Sequence, residues 1–476
     1  MSDKRTDVLL VTPLPPMETG LATFAERILR HTGTAYRWTV AHSGKADTDA
    51  LPTGPRYVHI DELATMELPA VRIFQLGNSV HCFPVVQALY SYGGTAVFHE
   101  TVIHHMLRHC YLEADRLEDY RRELRFCLGP AAEGAEQLLY RSGIDDAEYD
   151  ALLKSYPLAG RAVNASHSAA CLSEYAASTI RGGYPPGAVM TIGHPLSPLP
   201  DIPSTGKPFP VCIGMVGAYH PGRNLDAVLS ATMEIRRKNE DAGLLLIGGG
   251  YPEDLPEWVI STGRLPEPLY QSWIRTLDCV MDLRHPTCGE TSGSLLEAMR
   301  AGVPPIVSAS GSFLNLPSDG VIRVPPDNLV KGSLAAFDLL IRDPGQRQSI
   351  SKRARRHALE TGSVSRLRSD WERLVSLSSR FSGSICPEGK RPSISPAWME
   401  PPEGFRRNTG TGPVTWSFEG TVLLEGPPDS SEALVTAWGR GTVNGVGLPD
   451  EASVLEVRGR LLEFRGKGWL SDVLWS

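Results

Sequence analysis

The residues best suited to chemistry lie between positions 283 and 299, where a polar loop runs into an apolar segment. Two carboxylates flank the junction, Glu290 in the loop and Glu297 in the apolar segment. The apolar residues after Gly293 recur at the spacing of a buried helix. The first N–H groups of a helix have no partner within it, so they attract anions, above all phosphate, and glycine lets a ligand approach them closely. A phosphate site beside acids that accept hydroxyl hydrogen bonds predicts a sugar nucleotide as the ligand.

Apolar runs along the chain predict the scaffold that positions these residues. A strand is expected over residues 7–12, followed by a loop that contains Gly20 and by a helix over residues 21–29. The pattern restarts at residue 211. Further strands are predicted over residues 71–76, 95–99, 244–247, 279–283, 305–308 and 321–324. This order is typical of two consecutive Rossmann-like α/β domains, which bind ligands at the carboxyl ends of their strands and leave a cleft between them.

Shifts in composition divide the chain further. Residues 196–210 and 383–412 are rich in proline and polar residues, which is typical of linkers. Strand-like alternation then follows over residues 414–424, 433–438 and 453–457. We predict one Rossmann-like domain over residues 1–200, a second over residues 201–382, a linker over residues 383–412 and a small β-rich extension over residues 413–476.

Composition and charge bound the class of protein. The chain has 476 residues, a formal net charge of −7 and a sequence pI of about 6.0. This balance argues against nucleic acid as a partner, because phosphate backbones attract basic surfaces. No Cys-x-x-Cys pair is present, which argues against a zinc ribbon. The first residues lack the apolar core of a secretory signal, and no apolar run could span a bilayer. We expect a cytoplasmic protein, and peripheral membrane contact stays open.

Four segments together resemble the motifs of one enzyme family. They are PPMETGLA at residues 15–22, GNSVH at residues 77–81 with a histidine-rich stretch at residues 99–105, SEY at residues 173–175, and residues 283–299. In this order they are similar to the motifs of the retaining, GT-B-fold glycosyltransferases of family 4, the glycosyl transferases of group 1, over roughly four-fifths of the chain. The resemblance implies two Rossmann-like domains facing across a cleft, the first for the acceptor and the second for the nucleotide sugar.

Three departures from the family pattern leave the choice of donor open. Six residues separate Glu290 from Glu297, whereas members of the family usually have seven between the two acids. Ala218 and Arg223 occupy the places of an Arg and a Lys in many relatives, so one cation is missing. Glu100 stands where the family often has aspartate.

The resemblance implies that the donor is held mainly by the second domain. Glu290 would accept hydrogen bonds from the hydroxyls of the donor sugar, and Glu297 from those of the ribose. Arg223 would offset the charge of the leaving diphosphate, because a guanidinium suits phosphate contact. The remaining donor contacts would come from the backbone or the loops at Gly20, Arg264, Gly293, Ser294 and Leu295, with helix N–H groups as fixed dipoles.

The first domain would supply the residues around the acceptor. The resemblance places His99 at the sugar and the reaction centre, and Asn78, His81 and Glu100 on the acceptor side. His104 and His105 are adjacent, so they cannot both face one point of a helix and one of them is expected to be structural. Because this stretch has no H-E-x-x-H spacing, we predict no metal ion and no cofactor beyond the nucleotide-sugar co-substrate.

Structural alternatives remain for several of these side chains. Arg223 could be a solvated residue at a helix start, and Glu297 a buried acid satisfied by a neighbouring turn. A lone histidine such as His99 is often a core residue bonded to a carbonyl. The sequence does not distinguish these interpretations.

The resemblance therefore implies a metal-independent, hexosyltransferase-like enzyme that moves a sugar, with retention, from a nucleotide-diphosphate sugar to a hydroxyl acceptor. The acceptor would be a carbohydrate or a lipid-linked one, in polysaccharide or glycolipid assembly. One alternative is a non-catalytic GT-B-like protein that binds a glycan or a protein. Another is a sugar-nucleotide epimerase. The base, the sugar, the linkage, the role of the extension and the oligomeric state stay open.

Overall fold

The computed structural model describes residues 5–44, 46–47, 50–196, 203–382, 406–408, 414–420 and 439–445. The elements of the first half are β1 (Asp7–Val11), α1 (Gly20–Thr32), β2 (Arg37–His42), β3 (Arg56–His59), β4 (Val71–Leu76), α2 (Phe83–Tyr92), β5 (Gly94–Phe98), α3 (His104–Glu113), α4 (Leu117–Leu128), α5 (Ala132–Leu139), α6 (Asp146–Ser155), α7 (Gly160–Ala165), β6 (Ser166–Cys171), α8 (Glu174–Ile180) and β7 (Val189–Thr191).

Strands and helices also alternate through the second half. Its elements are β8 (Val211–Val216), α9 (Leu225–Arg236), β9 (Ala242–Ile247), β10 (Val259–Ser261), α10 (Glu267–Ile274), β11 (Cys279–Asp282), α11 (Gly293–Arg300), β12 (Pro305–Ser308), β13 (Ile322–Val324), α12 (Leu329–Arg342), α13 (Pro344–Gly362) and α14 (Val364–Phe381). The paired strands are parallel in both halves, which confirms the two predicted Rossmann-like α/β domains.

By residue contacts the chain forms two compact units. The first comprises residues 1–59, 171–176 and 191–376, and the second residues 60–170, 177–190 and 377–476. The first unit contains the parallel run β3-β2-β1 with helix α1, and a six-stranded parallel sheet in the order β10-β9-β8-β11-β12-β13. The second contains the run β4-β5-β6-β7. The predicted domain boundaries stay a prediction.

The six-stranded sheet has the order of a doubly wound fold. Chain order reverses between β8 and β11, so their carboxyl ends open a crevice at a switch point, where such sheets bind ligands. Strands β9 and β11 are buried throughout, because helices cover both faces of a parallel sheet.

Three short strands form an antiparallel sheet near the carboxyl end. They are β14 (Arg406–Asn408), β15 (Val414–Gly420) and β16 (Gly439–Gly445). Strand β15 falls within the strand predicted over residues 414–424. The strands predicted over residues 433–438 and 453–457 lie outside the described residues.

A buried acid, Asp370, joins helix α14 to the segment that follows β7. Asp370 is 1% exposed and accepts hydrogen bonds from the backbone N–H of Gly193 at 2.8 Å and from Arg366 Nε at 2.9 Å. The adjacent Trp371 is fully buried and packs edge-on against Trp38, with ring centroids 5.9 Å apart. Polar and aromatic contacts therefore fix this part of α14 within the first unit.

We expect Asp370→Ala to lower the free energy of unfolding by about 3 kcal/mol, because it leaves buried donors without their acceptor. Urea unfolding curves measure this loss. The matched control is Asp338→Ala, whose partly exposed carboxylate pairs with Lys238 and should cost less than about 1 kcal/mol. Equal losses in the two variants would contradict the structural role of Asp370.

Candidate functional site

Two loops meet at the switch point of the six-stranded sheet. The loop after β8 starts with Gly217, whose φ of +109° favours glycine. A methyl group at Gly217 would lie 2.7 Å from Ser294 Oγ and 3.1 Å from Arg223 Nη1. Only a residue without a side chain therefore allows the β8 loop, the Arg223 guanidinium and the first turn of α11 to come together.

Helix α11 begins at Gly293, immediately after a capping serine. Ser292 Oγ accepts a hydrogen bond from the Leu295 N–H at 3.2 Å. Leu295 is 2% exposed and Glu297 is 3% exposed, which confirms that the helix is buried. A methyl group at Gly293 would lie 2.6 Å from His194 Nε2, so glycine is also required here by packing. Because the helix starts only at Gly293, Glu290 is a loop residue and does not share a helical face with Glu297.

Glu290 is held in place by its own loop. Its carboxylate accepts hydrogen bonds from Thr287 Oγ1 at 2.9 Å and from the Cys288 N–H at 2.7 Å, and Arg284 Nη1 lies 3.3 Å away. The residue is 9% exposed. Three donors from one turn orient the carboxylate next to the start of α11.

A buried charge cluster supports this loop from below. Asp282 ends β11 and is 1% exposed, and it accepts hydrogen bonds from Arg284 Nε at 2.9 Å and from Ser292 Oγ at 2.5 Å. Burial raises the pKa of Asp282, but the Arg284 and Arg223 guanidiniums and these hydrogen bonds outweigh it and lower the pKa to about 2. Arg284 and Asp282 were not among the predicted site residues, although their position at the end of a strand before the loop was a usable signal.

Arg223 lies at the predicted place but points inward. It is 1% exposed, and Nη2 donates to the Val216 carbonyl at 2.7 Å and lies 3.4 Å from Asp282 Oδ1. Nη1 donates to the Ala218 carbonyl at 3.2 Å. Arg223 is therefore a buried residue that stabilises the loop after β8 through hydrogen bonds to the carbonyls of Val216 and Ala218, and it is not solvated. Its contact with a phosphate stays a prediction.

Glu297 lies one turn into α11 among other polar side chains. It accepts a hydrogen bond from Gln271 Nε2 at 3.1 Å and is paired with Arg300 on its own helix. Arg27 Nη1, from helix α1, lies 3.0 Å from Glu297 Oε1. Gln271 and Arg300 contact Oε2, whereas Oε1 has Arg27 as its ion-pair partner and makes no hydrogen bond within the described residues. The contact of Glu297 with ribose stays a prediction.

Two further predicted donor residues also lie in the first unit. Thr19 caps α1 through the Ala22 N–H, and the space around Gly20 is open, with no described atom within 4 Å of a methyl group placed there. Arg264 follows β10, and its Nη1 lies 2.8 Å from Glu18 Oε2. This exposed pair places the loop before α1 beside the loop after β10.

The residues predicted on the acceptor side belong to the second unit. His99 directly follows β5, is 8% exposed, and forms a hydrogen bond from Nε2 to Gln75 Oε1 at 3.0 Å. Glu100 accepts a hydrogen bond from the Asn78 N–H. His81 lies exposed on the short turn Val80–Cys82. His99, Glu100 and Asn78 thus lie at the carboxyl ends of neighbouring strands, while their roles stay predictions.

The adjacent histidines face different surroundings, as expected. His104 is fully buried, donates from Nδ1 to the Leu153 carbonyl at 3.2 Å and accepts from the Tyr120 hydroxyl at 2.7 Å. His105 is partly exposed and contacts Asp150 Oδ1 at 3.0 Å. His104 is therefore the structural one of the pair.

In the described part of the chain, no three His, Cys, Asp or Glu side chains are grouped as metal ligands would be. Within the same residues, every helix is too short or too polar to cross a bilayer.

Solved structures of other proteins share this fold. Crystal structures of HepE from Anabaena, in complex with UDP and glucose and with UDP-glucose, align at TM-scores of 0.52 and 0.51. Each shares 12% identity over 78% of this chain and 99% of HepE. At this identity the likeness establishes the fold, which is the predicted GT-B fold. A sucrose-phosphate synthase from Thermosynechococcus elongatus aligns at 0.49, with 13% identity over 78% of this chain and 97% of its own, too weakly to add an argument.

The family comparison concerns the six-stranded sheet. Residues 210–343 match the family described as glycosyl transferases group 1. This segment contains β8 through α12 and therefore the whole switch-point site. No curated protein sequence shows significant similarity to the chain. The likeness to HepE therefore concerns the fold, and the family match concerns residues 210–343.

We expect acid to destabilise the fold through His104. Burial, aided by the neighbouring His105, lowers the pKa of His104 from 6.5 to about 3. Between these values the unfolded chain binds a proton that the folded chain does not, so the free energy of unfolding falls as pH drops. Urea unfolding of His104→Gln should show a pH slope smaller by up to about 1.4 kcal/mol per pH unit. The control is the exposed His109→Gln. Identical slopes in wild type and His104→Gln would contradict this account.

Proposed function

We propose that this protein is a retaining glycosyltransferase that moves a sugar from a nucleotide-diphosphate sugar to a hydroxyl acceptor. The observation that carries the proposal is the convergence of Gly217, Arg223 and the first turn of α11 at the switch point, with Glu290 beside them. In an open parallel sheet this is the place for a phosphorylated ligand. The fold and the match to glycosyl transferases group 1 support the same class.

The first turn of α11 would receive the diphosphate. Its leading N–H groups and the helix dipole favour negative charge, and Ser292 already takes the Leu295 N–H, which leaves Gly293 and Ser294 as the proposed donors. Arg223 would act from behind the loop: its charge lies next to Gly217 and Ser294 in buried surroundings, where electrostatic interactions are stronger than in water. Leu295 would contribute by packing at the same turn.

The two acids would hold the sugars of the donor. Thr287 and the Cys288 N–H fix Glu290, so its carboxylate can accept hydroxyl hydrogen bonds from the transferred sugar without reorganising. Glu297 lies one turn deeper and would take the ribose hydroxyls. Gly20 and Arg264 would border the donor from the loops before α1 and after β10. HepE was crystallised with UDP-glucose, which supports a donor of this chemical class.

His99, Asn78, His81 and Glu100 would serve the acceptor and the reaction centre. We propose a front-face displacement: the bond from the anomeric carbon to the phosphate oxygen breaks, the acceptor oxygen bonds to that carbon on the same face, and its proton passes to the leaving phosphate. This course needs no metal ion and no enzymatic nucleophile. We further propose a cytoplasmic protein, hexose donors, and carbohydrate or lipid-linked acceptors, the latter with peripheral membrane contact.

Replacing the orienting acid should abolish transfer. The full chain is assayed with UDP-, GDP- and ADP-sugars, and products are separated with and without acceptor. Glu290→Gln keeps the shape of the side chain but removes its charge, so we expect kcat/KM to fall by at least about a hundredfold. Glu240→Gln, an exposed acid on the same unit, is the matched control and should leave kcat/KM unchanged.

Other outcomes of this assay point to other functions. Full turnover in Glu290→Gln would refute the proposed site. Conversion of the donor sugar without acceptor would identify an epimerase. Absence of any turnover, together with glycan or protein binding by the full chain, would identify the non-catalytic alternative.

Metal independence has its own test. Because the proposed charges on the diphosphate are met by N–H groups and guanidinium, we expect turnover after dialysis against EDTA to stay within about twofold of the untreated enzyme. Loss of turnover that added Mg²⁺ or Mn²⁺ restores would contradict this part of the proposal.

A further inference from the structure

Arg27, to which the proposed function assigns no role, forms an ion pair with Glu297 of the proposed donor site. It lies on α1, and its Nη1 lies 3.0 Å from Glu297 Oε1 and donates to the Pro195 carbonyl at 2.9 Å. Its side chain is 15% exposed, whereas that of Arg223 is 1% exposed. Arg27 is therefore a cation at the border of the site whose side chain has access to solvent.

Glu297 does not depend on Arg27 for charge compensation. Arg300 and Gln271 also contact its carboxylate, and both are almost fully buried. Arg300 Nε and Nη1, Gln271 Oε1 and Glu297 Oε1 are buried with no hydrogen-bond partner among the described residues, so this group of polar side chains can form hydrogen bonds that the protein does not use. Removing one of two guanidiniums thus leaves Glu297 paired, and the large penalty for an isolated buried charge does not arise.

The place that Arg27 occupies is close to the proposed diphosphate site. Glu297 lies four residues after Gly293, about 6 Å along the helix axis. His194 packs against Gly293 and edge-on against Phe24 of α1, with ring centroids 5.4 Å apart, so α1 and the first turn of α11 share this histidine.

We infer that Arg27 exchanges between two anions: Glu297, as observed here, and the diphosphate of the donor. The ribose hydroxyls take the Glu297 oxygen that Arg27 contacts, and the released guanidinium then pairs with the phosphates. Nucleotide binding is thereby coupled to delivery of a second cation, in addition to the buried Arg223. This inference rests on the proposed function and adds a residue that binds the diphosphate to the same site.

The exchange predicts that loss of the Arg27 charge weakens the binding of ligands with a diphosphate but not that of ligands without phosphate. Arg27→Gln is titrated calorimetrically, as the full chain, with nucleosides and nucleoside diphosphates of uracil, guanine and adenine. A charged hydrogen bond is lost only with the diphosphate, so its Kd should rise at least about tenfold. The Kd of the nucleoside should stay equal or fall, because Arg27 no longer competes with the ribose hydroxyls for Glu297. Arg27→Lys, which keeps the charge, should recover part of the diphosphate affinity.

The controls separate this role from a merely structural one. Arg30→Gln removes a more exposed cation of the same helix, paired with Glu26, and should leave both Kd values unchanged. Equal weakening of both ligands in Arg27→Gln, or an unchanged diphosphate Kd, would overturn the exchange while leaving the proposed function intact. If wild type binds no nucleoside diphosphate of any base, the proposed function fails and the exchange fails with it.

Discussion

The buried pair of Asp282 and Arg284 is the interaction on which the site depends. An aspartate at the end of a strand and an arginine two residues later are mutually compensated, and the same carboxylate accepts a hydrogen bond from Ser292. Ser292 in turn caps α11, and Arg284 reaches Glu290. One neutralised charge therefore fixes the end of β11, the loop and the start of the helix together. The Asp282–Arg284 pair therefore keeps Glu290 next to the start of α11.

Glycine at position 217 supplies the second constraint, which is one of space. Any side chain there would displace Ser294 or the Arg223 guanidinium, as the 2.7 Å and 3.1 Å approaches show. In the site the Gly217 backbone thus packs directly against the side chains of Ser294 and Arg223. Such an arrangement is already organised for negative charge, so little reorganisation is needed when charge develops on a leaving group.

The sequence predicted the parts of this structure that depend on local patterns. Helix α11, strand β4 at residues 71–76 and strand β12 at residues 305–308 could be predicted from apolar runs and helical spacing. Strands β2 and β3 were missed, because β2 mixes polar residues such as Arg37 and Thr39 with apolar ones and β3 is only four residues long.

Contacts between distant residues could not be predicted in this way. Arg27 and Glu297 are separated by most of two domains in sequence, and their charges alone do not reveal the pairing. The inward direction of Arg223 depends on Asp282, which lies 59 positions later. Spacing identified which residues belong to the switch-point loops, but only the folded sheet shows which guanidinium is buried and which one retains access to solvent.

A structure of the full chain with a bound nucleoside diphosphate tests the central claim most directly. We expect phosphate oxygens at hydrogen-bonding distance, about 3 Å, from the backbone nitrogens of Gly293 and Ser294. Phosphates that lie away from the first turn of α11, with that turn covered by protein side chains, would contradict the account.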